Sequence, residues 1–372
     1  MIDSPSLTAF TDRVADPRPA RGRHWTAWVI EAAAVWSAGY ALLGLTWVAG
    51  GPGFPFGSAV DPLANLSALR DVTQQGAAPA IAVLAGAALV TALVMRTDRL
   101  RAPRRLLLGT GVLIAMTLLL VVPDHRVLVL AAYAPVILAG LPFGWQPDGS
   151  FLDVVTWPLV NQLVCVAGGL AWVGAVIAYA RRTRDACEAC GRRTDHDPDR
   201  TRRTALRAGR LAVVVAMAVP LMYAATRWAW VLGIPLGIDE TTLRQVQADG
   251  PLVAPLGLGS VAVGGALLTT GLVMRWGEVF PAWLPRVGGR RVPPRLAVIP
   301  AGLVSVFVTT AGLSLIRLVL ADGSLLLEPG AIAAFGQAVL WPAWGAALTT
   351  AAVAYHYRTR PACDRCGLGA RR

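Results

Sequence analysis

The sequence predicts an all-α polytopic membrane protein of about eight spanning helices, built as two tandem parallel four-helix repeats. Three observations carry that prediction: apolar runs of bilayer length, Arg clusters confined to alternate gaps between them, and ordered matches between the two halves of the 372-residue chain.

Composition sets the frame. Hydrophobic residues make up 55% of the chain and charged residues 15%, more apolar surface than a water-surrounded core of this length can bury. A hydrocarbon layer about 30 Å thick takes about 20 helical residues. Runs near that length lie at 26–49, 78–95, 105–123, 155–180, 210–233, 252–274, 296–320 and 332–355. They lack the two-residue alternation of barrel strands, so helices are how their backbones are satisfied in lipid. Pro220 and Pro300 are expected to kink the fifth and seventh spans. The first span is too long for a signal-peptide core and has a later counterpart, so it is expected to be permanent.

Charge placement sets orientation. All 34 basic residues are Arg, which reads as codon bias, and the formal net charge is +12. They form short clusters between apolar runs, not one nucleic-acid groove. Twenty-nine lie in the N-terminal tail, in the gaps after the second, fourth and sixth spans, and in the C-terminal tail; five lie on the other side. The positive-inside rule then places both termini in the cytoplasm and the chain in the cytoplasmic membrane. About 17 apolar residues after Arg126, with Pro135 and Pro142, have no counterpart in the second half. A ninth span there would invert that half, so residues 127–143 are expected to form an outer interfacial or re-entrant segment.

The repeat relates residues 26–193 to residues 208–372, with residues 1–25 as a cytoplasmic tail and residues 194–207 as a cytoplasmic linker. Tyr40 and Trp47, followed by GFPFG at Gly53, recur as Tyr223 and Trp230, followed by GIPLG at Gly233. Leu69, Arg70 and Gly76 return as Leu243, Arg244 and Gly250, and LVMR ends the second span at Arg96 and the sixth at Arg275. Pro103, Arg104 and Arg126 match Pro294, Arg295 and Arg317 without a gap. DGS at Asp148 matches DGS at Asp322, Gln162 stands against Gln337, and RTRDACEACG answers RTRPACDRCG. Each half has an even number of spans, so both halves insert the same way around an axis along the membrane normal.

The clearest chemical motif is CxxCG, present at Cys187 and Cys190 and again at Cys363 and Cys366. Such a turn offers two thiolates to one tetrahedral metal, and two turns together make a closed structural Zn2+ site. A split zinc ribbon is the pattern this resembles. A redox role has less support, because no βαβ pattern surrounds either pair, and a remnant without ligand is the bland reading. Cys165, inside the fourth span, is expected to be packing.

The five Arg residues on the far side are Arg70, Arg126, Arg227, Arg244 and Arg317. Together they offer an anion-binding ring. Against that stands ordinary pairing with Asp61, Asp71, Asp239, Glu240 or Asp249, or snorkelling to the interface. Within the spans, Asn161, Gln162 and Gln337 are polar, and Glu31 is a carboxylate within reach of cytoplasmic Arg residues. Gln162 and Gln337 are candidates for a pathway or for a helix-to-helix bond; Tyr40 and Tyr223 for a cavity wall or for packing. No P-loop, HExxH, GxSxG or Rossmann fingerprint occurs. Asp124 with His125, and Asp148 with Asp153, are the best acid–base pairs on offer, and an enzyme is not expected.

The WVLGIPLG end of the fifth span, the paired Tyr and Trp residues and the Arg-rich tails resemble uncharacterised, hypothetical multi-pass integral membrane proteins of high-GC Actinobacteria, over most of the chain. That resemblance implies no activity. The expected function is transport or binding of a small-molecule ligand between the repeats, in contact with membrane lipid and without nucleic acid. A scaffold or sensor using its cytoplasmic tails, and a membrane-embedded enzyme, are the alternatives.

Overall fold

The computed structural model describes residues 25–97, 103–140, 155–193, 197–248, 253–321 and 336–369. Among the described residues, regular structure is helical, with one isolated bridge between Val279 and Arg291. The helices are α1 (Trp25–Val48), α2 (Gln74–Thr97), α3 (Arg104–Met116, prolonged by a π turn over Thr117–Val121), α4 (His125–Gly140) and α5 (Trp157–Arg182). After these come α6 (Pro198–Val231), α7 (Glu240–Ala248), α8 (Val253–Thr270), α9 (Pro294–Ala321) and α10 (Trp341–Thr359), the last entered through a 3-10 turn over Gly336–Leu340. The N-terminal tail before Trp25, residues 141–143, the DGS pair, Asp153, Asp249 and Gly250 lie outside the described residues.

Among the described residues, seven helices are long and apolar enough to cross a membrane, which supports a multi-pass protein. They are α1, α2, α3 with its π turn, α5, α6, α9 and α10 with its 3-10 turn. The expected sixth span forms α8, a shorter apolar helix. It stops at Thr270, short of the predicted Met274, and residues 271–274 continue as a tighter turn bonded back to Leu268 O, Thr269 O and Thr270 O. Arg358 of α10 donates to Leu272 O and Val273 O at 2.9 and 3.1 Å and pairs with Glu278 at 2.8 Å. Of residues 127–143, those as far as Gly140 belong to α4, which packs on α9. Helix α6 starts at Pro198, so the expected linker is helical over its later part, and Pro220 and Pro300 both lie inside helices.

Small residues set the helix spacing, as expected where lipid supplies no hydrophobic drive to association. Ala33, Ser37 and Gly44 of α1 and Ala78, Ala85, Ala88 and Ala92 of α2 are buried on facing stripes. A β-carbon on Gly44 would stand 2.8 Å from Ala82 N and Cα, whereas one on Gly86 would meet nothing within 4 Å. Gly44→Ala is therefore expected to destabilise by about 1–3 kcal/mol. Gly86→Ala should be neutral or stabilising by up to about 1 kcal/mol through helix propensity. Thermal unfolding in detergent checks the pair, and equal signs would refute this close packing.

The outward faces are apolar. Val35 of α1 is 72% exposed, Val83 of α2 71% and Leu211 of α6 70%. Rows of this kind on several helices are an unfavourable surface in water and a natural one against acyl chains.

Helix neighbours follow the same order in both halves. In the first, α1 packs on α2 and α5, and α3 packs on α5; in the second, α6 packs on α8 and α10, and α9 packs on α10. Between the halves, α9 lies against α4 and the π turn of α3. The wider i→i+5 spacing of a π turn alters which carbonyls its own helix satisfies. Here Leu119 O accepts from Thr310 Oγ1 of α9 at 2.9 Å. The four thiols of the two CxxCG segments are all at the other end of the molecule, beyond the ends of α5 and α10.

Candidate functional site

Each CxxCG segment folds into the same turn. Gly191 N donates to Cys187 O at 2.7 Å and Gly367 N to Cys363 O at 2.8 Å, while Cys187 N and Cys363 N bond to Arg192 O and Leu368 O. Closing that turn requires the left-handed backbone that Gly adopts without strain, and Gly191 and Gly367 have φ of 71° and 67°. The two turns face each other, so that all four sulfurs lie within 4.8 Å of one another. Cys187 Sγ is 3.9 Å from Cys363 Sγ, and Cys190 Sγ is 3.6 Å from Cys366 Sγ. A tetrahedron of 2.3 Å zinc–sulfur bonds has edges of about 3.8 Å, so the cluster has the dimensions of a metal site.

Arg residues lock the turns together across the halves. Arg192 donates to Pro361 O, Leu368 O and Arg360 O, Arg360 Nη1 donates to Cys190 O, and Arg365 pairs with Glu188 at 3.1 Å. Arg181 donates to Glu188 O and Ala189 O and stacks over Trp25. Burial, then the neighbouring Arg192, lowers the Arg360 guanidinium from its ordinary value. Crowded cations of this kind favour an anionic centre, and four thiolates around one divalent cation carry a net charge of about −2. Burial works against the Cys363 thiolate, yet the backbone N–H groups of Cys366 and Arg365 lower that thiol to about 7. Burial and the neighbouring thiols push Cys366 up to about 12. A coordinated cation removes the conflict by deprotonating all four.

A polar network closes the opposite end of the first half. Asp124, 1% exposed, accepts from Arg126 Nε at 3.0 Å and Nη2 at 2.6 Å, from the backbone N–H of Arg126 and from Gln162 Nε2 at 2.9 Å. Arg126 Nη1 lies 2.7 Å from Asp61, an ion pair without a well-directed hydrogen bond. Burial opposes the charge of Asp124, but the Arg126 bonds and charge prevail and hold its carboxyl below the ordinary value. His125 is lowered, chiefly by burial.

The other sequence candidates are dispersed. Tyr40 is stacked on Trp36, bonded to Asn161 and 3.1 Å from the buried Cys165, so it is core. Gln162 is held by Asp124, and Gln337 donates to Thr226 at 3.1 Å; each Gln is tied within its own half. Arg227 stacks on Tyr223 and Trp230. Arg70 pairs with Asp71 and Arg244 with Glu240, both exposed. Glu31 pairs with Arg96 at 3.5 Å. The five Arg residues do not form one ring: Arg70 and Arg317 line a common cleft, and Arg126, Arg227 and Arg244 have other partners. The cross-half role of Arg192 and Arg360 was missed by sequence reasoning, although each lies close to a CxxC turn.

No family model matches the chain, and neither a curated protein nor a solved structure does.

Proposed function

We propose that this chain is a multi-pass protein of the cytoplasmic membrane with both termini in the cytoplasm. Two parallel four-helix repeats are clamped there by one structural Zn2+ and bind a small-molecule ligand between them. The observation that carries this reading is the cluster of four sulfurs, two from each half, at tetrahedral spacing. The matching helix neighbours of the halves support the duplication. So do the matching end contacts, in which Arg182 donates to Met95 O and Arg358 to Leu272 O and Val273 O.

Binding has more support than passage. Both Gln candidates for a midplane path are occupied by local hydrogen bonds, whereas a cleft lined from both halves lies at the end away from the CxxC turns. A binding role also has more support than catalysis, since Asp124 of the best acid–base pair is committed to Arg126 and Gln162.

A second reading, a scaffold or sensor, is favoured by one feature. Helix α6 has 34 residues, about 51 Å long, and its Arg-rich first turns extend past a core about 30 Å thick.

The test is metal content of protein purified in detergent under reducing conditions, with the Cys187→Ser, Cys363→Ser variant alongside. One tightly held zinc per chain, absent from the variant, is expected. Metal-free wild type would sink the clamp. Fusions at the C-terminus test orientation: an alkaline phosphatase fusion should be inactive, and activity would reverse the topology.

A further inference from the structure

Arg126 and Arg317 occupy matching positions of the two halves but have been given opposite surroundings. Arg126 is neutralised by the buried carboxylates of Asp124 and Asp61. At the ungapped spacing that relates Arg126 to Arg317, the position of Asp124 is taken by Leu315. The second half also pairs its Gln differently, since Gln337 bonds Thr226 where Gln162 bonds Asp124. Arg317 accordingly has no carboxylate partner among the described residues. Its Nη2 reaches across to Leu120 O of the π turn at 3.4 Å, a weak bond, and its Nη1 is enclosed without a hydrogen-bond partner. A half-buried guanidinium kept without a counter-ion in a membrane protein is costly and marks a functional position by default.

Arg317 lines a cleft of about 210 Å³ between the halves. Asn65, Ser67, Arg70 and Asp71 come from the segment between α1 and α2, and Ser314 and Arg317 from the last turns of α9. That volume holds several waters, enough for a small anionic group and too little for a bulky ligand. Ser314 already donates to Thr310 O, but the hydroxyl of Ser67 only accepts, from Leu69 N, and is free to donate. Asp71 pairs with Arg70 Nε at 3.1 Å and leaves the rest of that guanidinium's donors available. Two guanidiniums and one carboxylate leave one net positive charge, which selects a singly charged oxyanion.

We propose that this cleft binds a monoanionic oxyanion, a carboxylate or a phosphodiester, held by Arg317 and Arg70 with Ser67 as donor. The proposal names the ligand class of the between-halves site and rests on the outer placement of that end. The duplication has thus divided two tasks: Arg126 fixes its end of the bundle, and Arg317 keeps its charge for a ligand. A phosphodiester has two sources, a lipid headgroup in the outer leaflet or a soluble molecule, and the chemistry of recognition is the same for both.

The experiment measures binding to zinc-loaded protein with three probes: dimethyl phosphate and acetate in a neutral detergent, and phosphatidylglycerol in nanodiscs of phosphatidylcholine. Arg317→Gln is expected to weaken binding about tenfold or more, the scale of one charged hydrogen bond. Arg317→Lys should retain part of it, and Arg244→Gln, outside the cleft, should leave it unchanged. Binding of the soluble probes identifies a free ligand; binding of phosphatidylglycerol alone identifies a headgroup. Failure of all three probes, or binding untouched by Arg317→Gln, overturns the proposal. Zinc content and thermal midpoint of wild type and of every variant are read in the same samples, so wild type that holds zinc but binds none of the probes refutes only the cleft, and wild type that holds no zinc refutes the clamp.

Discussion

The Asp124→Asn variant is expected to lose about 3–5 kcal/mol of stability, the cost of breaking a buried charge pair from one side. Asp124 receives bonds from three donor groups of Arg126 and one from Gln162 while almost wholly removed from solvent. An amide in its place turns an N–H toward the guanidinium and leaves Asp61 as the remaining carboxylate. Removing both members of the pair should cost less than the two single losses combined, because neither charge is then stranded. Thermal unfolding in detergent of Asp124→Asn, Arg126→Gln and the double variant reads this directly. Small, additive losses would mean that the network does not hold that end together. The pH dependence has a definite sign. The folded carboxyl lies below its ordinary value, so its contribution is fully present above the unfolded value, near 3.9, and is lost as pH falls through the folded one. Asp124→Asn should flatten that acid limb and leave the neutral region parallel to wild type.

The spans were legible because lipid imposes a one-dimensional rule: about 20 consecutive residues must be apolar and must bond their own backbones. Beyond the end of α8, Arg358, on α10, supplies donors to Leu272 O and Val273 O. No local pattern reports that contact. Asp124 and His125 read as a weak acid–base pair because the sequence places them side by side. Three dimensions add Arg126, Gln162 and Asp61, and the pair becomes structural. Hydropathy likewise could not show that the residues after Arg126 form a helix against α9. The cysteines were legible for the opposite reason. Two thiols three positions apart with a following Gly specify a turn on their own, whereas the meeting of the two turns is set by where the ends of α5 and α10 come to lie in space.

The knuckles are expected to behave as one unit, with an effect of similar size. Zinc present at about 1,000 times its dissociation constant stabilises the folded chain by about 4 kcal/mol, and this increment should vanish in Cys187→Ser, in Cys363→Ser and in the double variant alike. A site that needs four sulfurs is already broken by the loss of one, so a second loss from the partner turn removes little more. Independent two-thiolate sites would behave otherwise: each single variant would keep half of the metal, and the losses would add. Titration of zinc into metal-free protein, followed by thermal unfolding, separates the two cases, and additive single losses would show that the turns bind apart. The distinction matters for the whole molecule because Cys187 and Cys363 close the second half of the chain into a loop, and their sulfurs are 3.9 Å apart. A metal that draws on both turns ties the ends of α5 and α10, and so restricts any rocking of one half against the other. If the thermal increment survives in either single variant, the contacts of Arg192, Arg360 and Arg365 are what join the halves at that end, and the cleft beside Arg317 must be held by the contacts of α9 with α4 and the π turn.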